Sequence, residues 1–278
     1  MIRHVVVAVA PDEVDLVSGL AWMAGAEGIE ERDAAGRVDL VVATSDPGAL
    51  AAHLGGRWRT VEIQRDPDEW VESWKQHARA VDLGPVVVAP PWVEVAGDGR
   101  RVVRIDPGRA WGHGAHPTTR LALDALVASP PEGRSVLDLG SGSGVIGVVA
   151  AVLGAAVVRC VDPDPEARVA ATANARANGV EGLVQVELGT VADAAAGGAA
   201  AEVVVANIDA PVLEAGATDL VSVTRPGGRL ILSGMLDERA ASIGTAVAAA
   251  AEAADRSVAV TARPTFEGWT ALDLRLDP

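Results

Sequence analysis

Three glycines at alternate positions follow an apolar run and an acid in the stretch VLDLGSGSGVIGVVA, residues 136–150. The acid is Asp138, and the glycines are Gly140, Gly142 and Gly144. Glycine permits a tight turn, and it lets backbone N–H groups approach a ligand that a side chain would keep away. An apolar strand that passes into a helix in this way places the turn at the carboxyl edge of a sheet, where doubly wound folds bind ligands. The pattern therefore predicts a cofactor-binding loop.

Two further polar residues end apolar runs later in the chain. Asp162 closes VVRCVD, 22 residues after Gly140, and its carboxylate can accept two hydrogen bonds from a ribose diol. Capping of the next helix is the alternative role, although Asp164 suits that role better. Asn207 closes VVVAN, and its side-chain oxygen and a nearby backbone carbonyl can hold an amine by its N–H groups. A plain turn residue is the alternative interpretation of Asn207.

A third unusual stretch, WGHGAHPTTR, occupies residues 111–120, ahead of the glycine loop. A metal site, a phosphate cradle and a flexible lid are all compatible with its composition. His113 and His116 form an H-x-x-H pair, but two histidines without a third ligand nearby make a weak metal site, so we predict no bound metal. The glycines permit movement, and Pro117 with the threonines is typical of a helix start. We interpret the stretch as a lid.

The elements that must position these residues fall into two patterns. The first 64 residues read as βαββαβ, the order of a ferredoxin-like unit. From about residue 117 strands alternate with helices, which predicts an α/β fold with a mostly parallel, doubly wound sheet. The last two strands follow each other without a helix, so one of them should be antiparallel. Residues 194–202, AAAGGAAAE, read as a low-complexity connection, and 210–222 read as one helix.

The composition excludes several classes of partner. A formal net charge of −15 makes the chain a poor partner for nucleic acid or an anionic membrane, and it favours either a basic partner or simple solubility. The single cysteine, Cys160, excludes a disulfide within the chain and zinc sites built on several thiolates, and it indicates the cytoplasm. No apolar run is long enough to predict a membrane-spanning helix.

Two cofactors fit these residues. Gly142, Gly144 and Gly147 spell the dinucleotide fingerprint, but a nicotinamide enzyme would also need a hydride-transfer site, and we find no convincing one. DLGSGSG is more similar to the first motif of class I methyltransferases, which bind S-adenosylmethionine. With DPGRAWGHGAHPTTRLALDAL, VDPDPEARVAATANARANGV, VVVANIDAP and RPGGRLILSGML in this order, the chain resembles the ribosomal protein L11 methyltransferase family (PrmA) over residues 66–236.

The resemblance implies an enzyme that methylates lysine side chains and the N-terminal amine of a free, basic ribosomal protein with S-adenosylmethionine. It implies that the lid folds over the methionine end of the cofactor and that Asn207 is the catalytic residue. Carried over by position, the cofactor contacts are Thr119, Gly140 with the neighbouring loop glycines, Asp162 and Asn207. The family layout implies a substrate-recognition domain at 1–64, a connecting helix and strands at 65–104, and a Rossmann-like catalytic domain at 105–278. We expect a monomer.

Departures from the family pattern concentrate near the expected substrate amine. The family usually has phenylalanine in place of Trp111, leucine in place of Asp209, and threonines near His113 and Ala115. Asp209 could attract a cationic amine or cap the next helix. The alternatives left open are a methyltransferase of the same fold acting on another protein or a small molecule, and a cofactor-binding module without catalysis. An intact Asn207 argues against the module.

Overall fold

The structure is a computed structural model that describes residues 3–34, 36–63, 79–96, 98–108, 110, 112 and 114–278. The chain divides into two compact units, Met1–Ser73 and Trp74–Pro278. The predicted connecting helix after residue 65 lies outside the described residues. The domain boundaries at 64 and 104 stay predictions.

The first unit has the predicted βαββαβ order. Its elements are β1 (Arg3–Val9), α1 (Val14–Met23), β2 (Ala26–Ala34), β3 (Arg37–Thr44), α2 (Pro47–Leu54) and β4 (Thr60–Ile63). The described strands form a sheet in the order β2-β3-β1-β4 with antiparallel pairs, which is the arrangement of a ferredoxin-like unit. Val5 and Val7 alternate to one face of β1 and pack in a core with Leu50 and Leu54 of α2.

The second unit carries the glycine loop and both polar strand ends. Its elements before the last parallel strand are β5 (Val81–Asp82), β6 (Val86–Ala89), β7 (Arg101–Arg104), α3 (Pro117–Ala128), β8 (Ser135–Leu139), α4 (Val145–Val152), β9 (Val157–Asp162), α5 (Pro165–Ala177), β10 (Val184–Leu188), α6 (Val191–Ala196) and β11 (Ala201–Asn207). The chain continues through α7 (Ala210–Ala215), α8 (Ala217–Ser222), β12 (Thr224–Leu236), α9 (Asp237–Ala253), β13 (Ser257–Ala262), β14 (Thr265–Phe266) and β15 (Trp269–Asp277).

The large sheet follows the order β10-β9-β8-β11-β12-β15-β13. The pairs from β10 to β12 are parallel, and β15 is antiparallel to both β12 and β13, which confirms the predicted antiparallel strand at the end of the chain. The order reverses between β8 and β11, because β9 and β10 lie on one side of β8 and β11 and β12 lie on the other. The glycine loop after β8 and Asn207 at the end of β11 therefore meet at the switch point of the sheet, where such folds bind ligands.

Strand residues alternate between two buried layers. Val203 and Val205 of β11 pack on the side of α3 and α4, while Val204 and Ala206 pack on the side of α8 and α9. Because successive side chains point to opposite faces, Asn207 lies on the α3 side. Val86 and Val103 of the small sheet β5-β6-β7 share the core of the α3 side, so that sheet is built into the second unit.

Two predicted segments differ from the structure. Part of 194–202 is not a connection, because α6 extends to Ala196; the Thr190 hydroxyl and the Asp193 carboxylate form a capping box at its start. The helix predicted over 210–222 is divided at Gly216 into α7 and α8. None of the described helices is both long and apolar enough to cross a membrane.

Candidate active site

The loop after β8 turns through three glycines with left-handed backbone angles, φ 67° at Gly140, 50° at Gly142 and 77° at Gly144. Its close contacts leave no space for side chains at two of these positions. A Cβ atom on Gly140 would lie 2.1 Å from Cγ2 of Ile208, and one on Gly144 would lie 2.7 Å from Cβ of Ala171 on α5. Their φ values favour glycine at all three positions, and the packing against Ile208 and Ala171 also requires it at Gly140 and Gly144.

Asp162, at the end of β9, ties this loop to the neighbouring strand. Its Oδ2 accepts a hydrogen bond from the N–H of Gly142 at 2.8 Å, and its Oδ1 accepts one from the N–H of Asp164 at 2.9 Å. Each carboxylate oxygen can accept a second bond, so the side chain can still receive two hydroxyl donors. Asp164, and not Asp162, caps α5 by accepting from the N–H of Glu166, as the sequence favours.

Asp138 lies buried beneath the loop, and the sequence alone assigns no role to this acid. Burial raises the pKa of Asp138 to about 7, against the lowering effect of the Gly147 N–H that donates to Oδ2 at 2.9 Å. Within the described part of the chain, Asp138 Oδ1 and the hydroxyl of Ser141 are buried without a hydrogen-bond partner. Burial also raises the pKa of the Cys160 thiol, so this cysteine is not a nucleophile at neutral pH.

Asn207 and Thr119 meet at the carboxyl end of β11. The Nδ2 of Asn207 donates to Oγ1 of Thr119 at 3.2 Å, which joins the strand to the first turn of α3. Next to this pair, the hydroxyl of Ser233 on β12 donates to the carbonyl of Thr118 at 2.9 Å. Thr118 and Thr119 are buried, so the start of α3 is fixed against the strand ends. In this arrangement one N–H of the Asn207 amide is engaged, and its oxygen accepts no side-chain hydrogen bond from the described residues.

Asn174 on α5 and Asn178, the C-cap residue of α5, bind the segment that leads into the predicted lid, and neither was predicted from the sequence. Asn178 accepts from the N–H of Arg104 at 2.8 Å and donates to its carbonyl at 2.7 Å. Asn174 makes the same pair of bonds with Asp106, both at 2.9 Å, and its Nδ2 also donates to the carbonyl of Ser143 in the glycine loop at 2.9 Å. The spacing of four in ANARAN sets the two amides about one helical turn apart, but it does not indicate which backbone they meet.

We expect replacement of Asn174 by leucine to lower the affinity for S-adenosylmethionine about tenfold, because the loop loses its bond at Ser143; this corresponds to about 1.4 kcal/mol. The substitution should also lower the free energy of unfolding by about 1–3 kcal/mol, since buried backbone groups lose their partners. Asn178→Leu is the matched control, because Asn178 does not reach the glycine loop. Calorimetric titration and urea unfolding measure both quantities. Equal cofactor affinity in the two variants would contradict this role for Asn174.

The structure describes the predicted lid, residues 111–120, only in part. Trp111 and His113 lie outside the described residues. The carbonyl of Gly112 accepts a hydrogen bond from the Ser143 hydroxyl, which connects this segment to the glycine loop. His116 is the N-cap residue of α3; its Nδ1 lies 2.8 Å from Oγ1 of Thr118, and its ring meets that of Trp269 edge-on at 5.3 Å between centroids.

The remaining predicted residue, Asp209, is exposed and stands at the N-cap position of α7 without a side-chain capping bond. The capping alternative is therefore not realised in the structure. Among the described residues, no group of three or more histidine, cysteine, aspartate or glutamate side chains is arranged to hold a metal ion.

The chain is similar in sequence and in structure to known methyltransferases. The family model described as ribosomal protein L11 methyltransferase (PrmA) matches residues 46–276. A ribosomal protein L11 methyltransferase of Sorangium cellulosum is 38% identical over an alignment of 253 residues that covers 84% of this chain and 78% of that protein. One of Methylococcus capsulatus is 39% identical over an alignment of 213 residues that covers 73% of this chain and 70% of that protein. A crystal structure of ribosomal protein L11 methylase from Lactobacillus delbrueckii subsp. bulgaricus superposes with a TM-score of 0.61 at 25% identity, covering 72% of this chain and 100% of that one.

Proposed function

The chain belongs to the ribosomal protein L11 methyltransferase family, and from this premise we propose that it methylates ribosomal protein L11 on lysine side chains and on the N-terminal amine. It is an S-adenosylmethionine-dependent methyltransferase. The single observation that carries the proposal is the meeting of the glycine loop and Asn207 at one switch point of the sheet.

The residues at this switch point fit the cofactor. Gly140 and Gly144 let the loop pack directly against Ile208 and Ala171 at the carboxyl ends of the strands, and we propose that the cofactor binds along this loop. Asp138 Oδ1 and the Ser141 hydroxyl are buried without a partner among the described residues, and we propose that the polar, cationic amino acid moiety of the cofactor satisfies them. We propose that the Asp162 carboxylate receives the ribose hydroxyls with its remaining lone pairs.

S-adenosylmethionine, when bound, supplies an electrophilic methyl group next to a sulfonium charge. The chain must then bring a neutral amine into line with that methyl group. Thr119 holds the Nδ2 of Asn207 at 3.2 Å, which directs the Oδ1 away from the helix as an acceptor. We propose that this oxygen and a neighbouring backbone carbonyl accept the amine N–H groups and orient the nitrogen lone pair.

The accepting amine must lose its proton before it reacts. A lysine with a reference pKa of about 10.4 requires roughly 4–5 kcal/mol for deprotonation at neutral pH. Desolvation in a site that excludes water lowers this cost. The acceptor oxygen of Asn207 is neutral, so it can orient the amine without stabilising the ammonium form as a carboxylate would. Alignment, and not general base catalysis by a charged residue, is the proposed contribution of the chain.

We further propose that the first unit recognises the protein substrate, that the enzyme acts as a monomer in the cytoplasm, and that its substrate is the free ribosomal protein. The ferredoxin-like order of this unit supports the recognition role, since such units bind or position partners more often than they perform chemistry. Asp209 is exposed and does not cap α7, so its carboxylate is available to a cationic group. This observation favours one alternative, in which the enzyme methylates a different cationic acceptor.

Purified enzyme incubated with radiolabelled S-adenosylmethionine tests the proposed activity. We expect label on purified ribosomal protein L11, at lysines and at the N-terminal amine, as located by mass spectrometry. A panel of other ribosomal proteins and small amines tests the alternative in the same assay. Label only on another acceptor would replace the proposed substrate, and cofactor binding without any transfer would contradict the catalytic proposal.

A further inference from the structure

Three large apolar side chains lie in a row near the active site, and no step proposed above uses them. Leu236 on β12 pairs with Trp269 on β15, and Trp269 pairs with Phe266 on β14. Directly paired residues of antiparallel strands carry their side chains on the same face of the sheet. Leu236 is 44% exposed and Phe266 is 45% exposed. We call Leu236, Trp269 and Phe266 the apolar row.

Contacts through α3 connect the apolar row to the proposed catalytic amide. The ring of Trp269 meets that of His116, the N-cap residue of α3, at 5.3 Å between centroids. Thr119 lies three residues after His116 and accepts the hydrogen bond from Asn207. The apolar row and the Asn207 side chain therefore lie on the same face of the sheet, at the two sides of the first turn of α3.

Two acidic side chains beside the apolar row have no cationic partner among the described residues. Glu267 follows Phe266, Glu238 lies two residues after Leu236, and both are exposed. Neither glutamate makes an ion pair with any described residue, whereas the nearby Arg263 is paired with Asp237 at 2.8 Å. The surface thus combines exposed apolar side chains with uncompensated negative charge, which fits a cationic polypeptide that also carries an apolar side chain.

We propose that the apolar row, with Glu267 and Glu238, is the docking surface for the segment of the protein substrate that flanks the methyl-accepting amine. This inference rests on the proposed protein substrate. An apolar side chain of that segment packs against Phe266 and Leu236, and its cationic side chains face the two glutamates. The surface would hold the accepting lysine near Asn207 and would favour a polypeptide over a free amine of the same pKa.

The sequence offers a direct probe, because Phe266 is the only phenylalanine in the chain. Full-length enzyme grown with 4-fluorophenylalanine gives one ¹⁹F resonance from this surface. With S-adenosylhomocysteine present throughout, titration with ribosomal protein L11 should shift or broaden that resonance to saturation. A resonance that is unmoved at concentrations where the wild-type enzyme is saturated in turnover would overturn the docking proposal.

Steady-state kinetics of surface variants give a second test of the docking surface. The double variant Leu236→Ser/Phe266→Ser should raise KM for the ribosomal protein about tenfold, with kcat and the affinity for S-adenosylmethionine unchanged. Serine is a favoured N-cap residue, so it suits position 236 before α9. Val260→Ser, at a site 60% exposed on β13, is the matched control and should leave KM unchanged. If the wild-type enzyme is active and the double variant has an unchanged KM, the docking proposal alone is wrong. If the wild-type enzyme labels no protein, both the proposed function and the docking proposal are wrong.

Discussion

Replacing Asp162 by alanine is expected to weaken the binding of S-adenosylmethionine at least about 100-fold. The substitution removes the acceptor that we propose for two ribose hydroxyls. Hydrogen bonds to a charged group contribute about 1.5–3 kcal/mol each, and about 1.4 kcal/mol corresponds to a factor of ten in affinity. It also releases the N–H of Gly142, which the carboxylate holds at 2.8 Å. Isothermal titration with S-adenosylmethionine and with S-adenosylhomocysteine measures the effect.

Asp164→Ala is the control for this prediction. Asp164 lies two residues away and caps α5, so its loss should lower stability by about 1 kcal/mol and leave cofactor affinity near that of the wild type. Thermal melts of both variants separate unfolding from lost binding. If Asp162→Ala binds the cofactor as tightly as Asp164→Ala does, the carboxylate does not hold the ribose.

The second large effect concerns turnover and not binding. Asn207→Ala should lower kcat about 10²–10³-fold, the range found when a positioned polar group is removed from an active site. Affinity for S-adenosylmethionine should change only slightly, because the ribose and loop contacts remain. Single-turnover kinetics at saturating cofactor and protein substrate, combined with direct binding measurements, separate the two quantities.

Thr119→Val gives a graded control for Asn207. Valine keeps the shape of threonine but removes the acceptor at 3.2 Å from Nδ2, so the amide can rotate out of alignment. We expect a loss in kcat of about tenfold, smaller than that of Asn207→Ala. A large loss of cofactor affinity in Asn207→Ala, with kcat preserved, would assign this residue to binding instead of alignment.

The sequence predicts the elements whose pattern is local. Strand and helix alternation after residue 117 predicts the doubly wound sheet, and glycines at alternate positions predict the loop, because both signals depend on neighbouring residues. Helix α6 was not predicted because its alanine-rich sequence shows no periodic alternation of apolar and polar residues. The Thr190 and Asp193 capping box was the local signal that was available.

Contacts between distant parts of the chain could not be predicted in the same way. Asn174 meets Asp106, 68 positions away, and Asn207 meets Thr119, 88 positions away. An isolated asparagine in a helix has the same local pattern whether it faces solvent or a buried segment, so only the fold distinguishes the two. The apolar row is a similar case, because Phe266 lies on a strand of two residues and joins Trp269 only through sheet register.

We propose that the nucleoside of the cofactor lies across the carboxyl ends of β8 and β9, with its reactive end at Asn207. A crystal structure of the enzyme with S-adenosylhomocysteine would show where the nucleoside binds. We expect both ribose hydroxyls to bond to the Asp162 carboxylate and the sulfur to face the Asn207 side chain beside the glycine loop. A nucleoside bound away from Asp162, or a sulfur on the far side of the sheet edge from Asn207, would contradict this proposal.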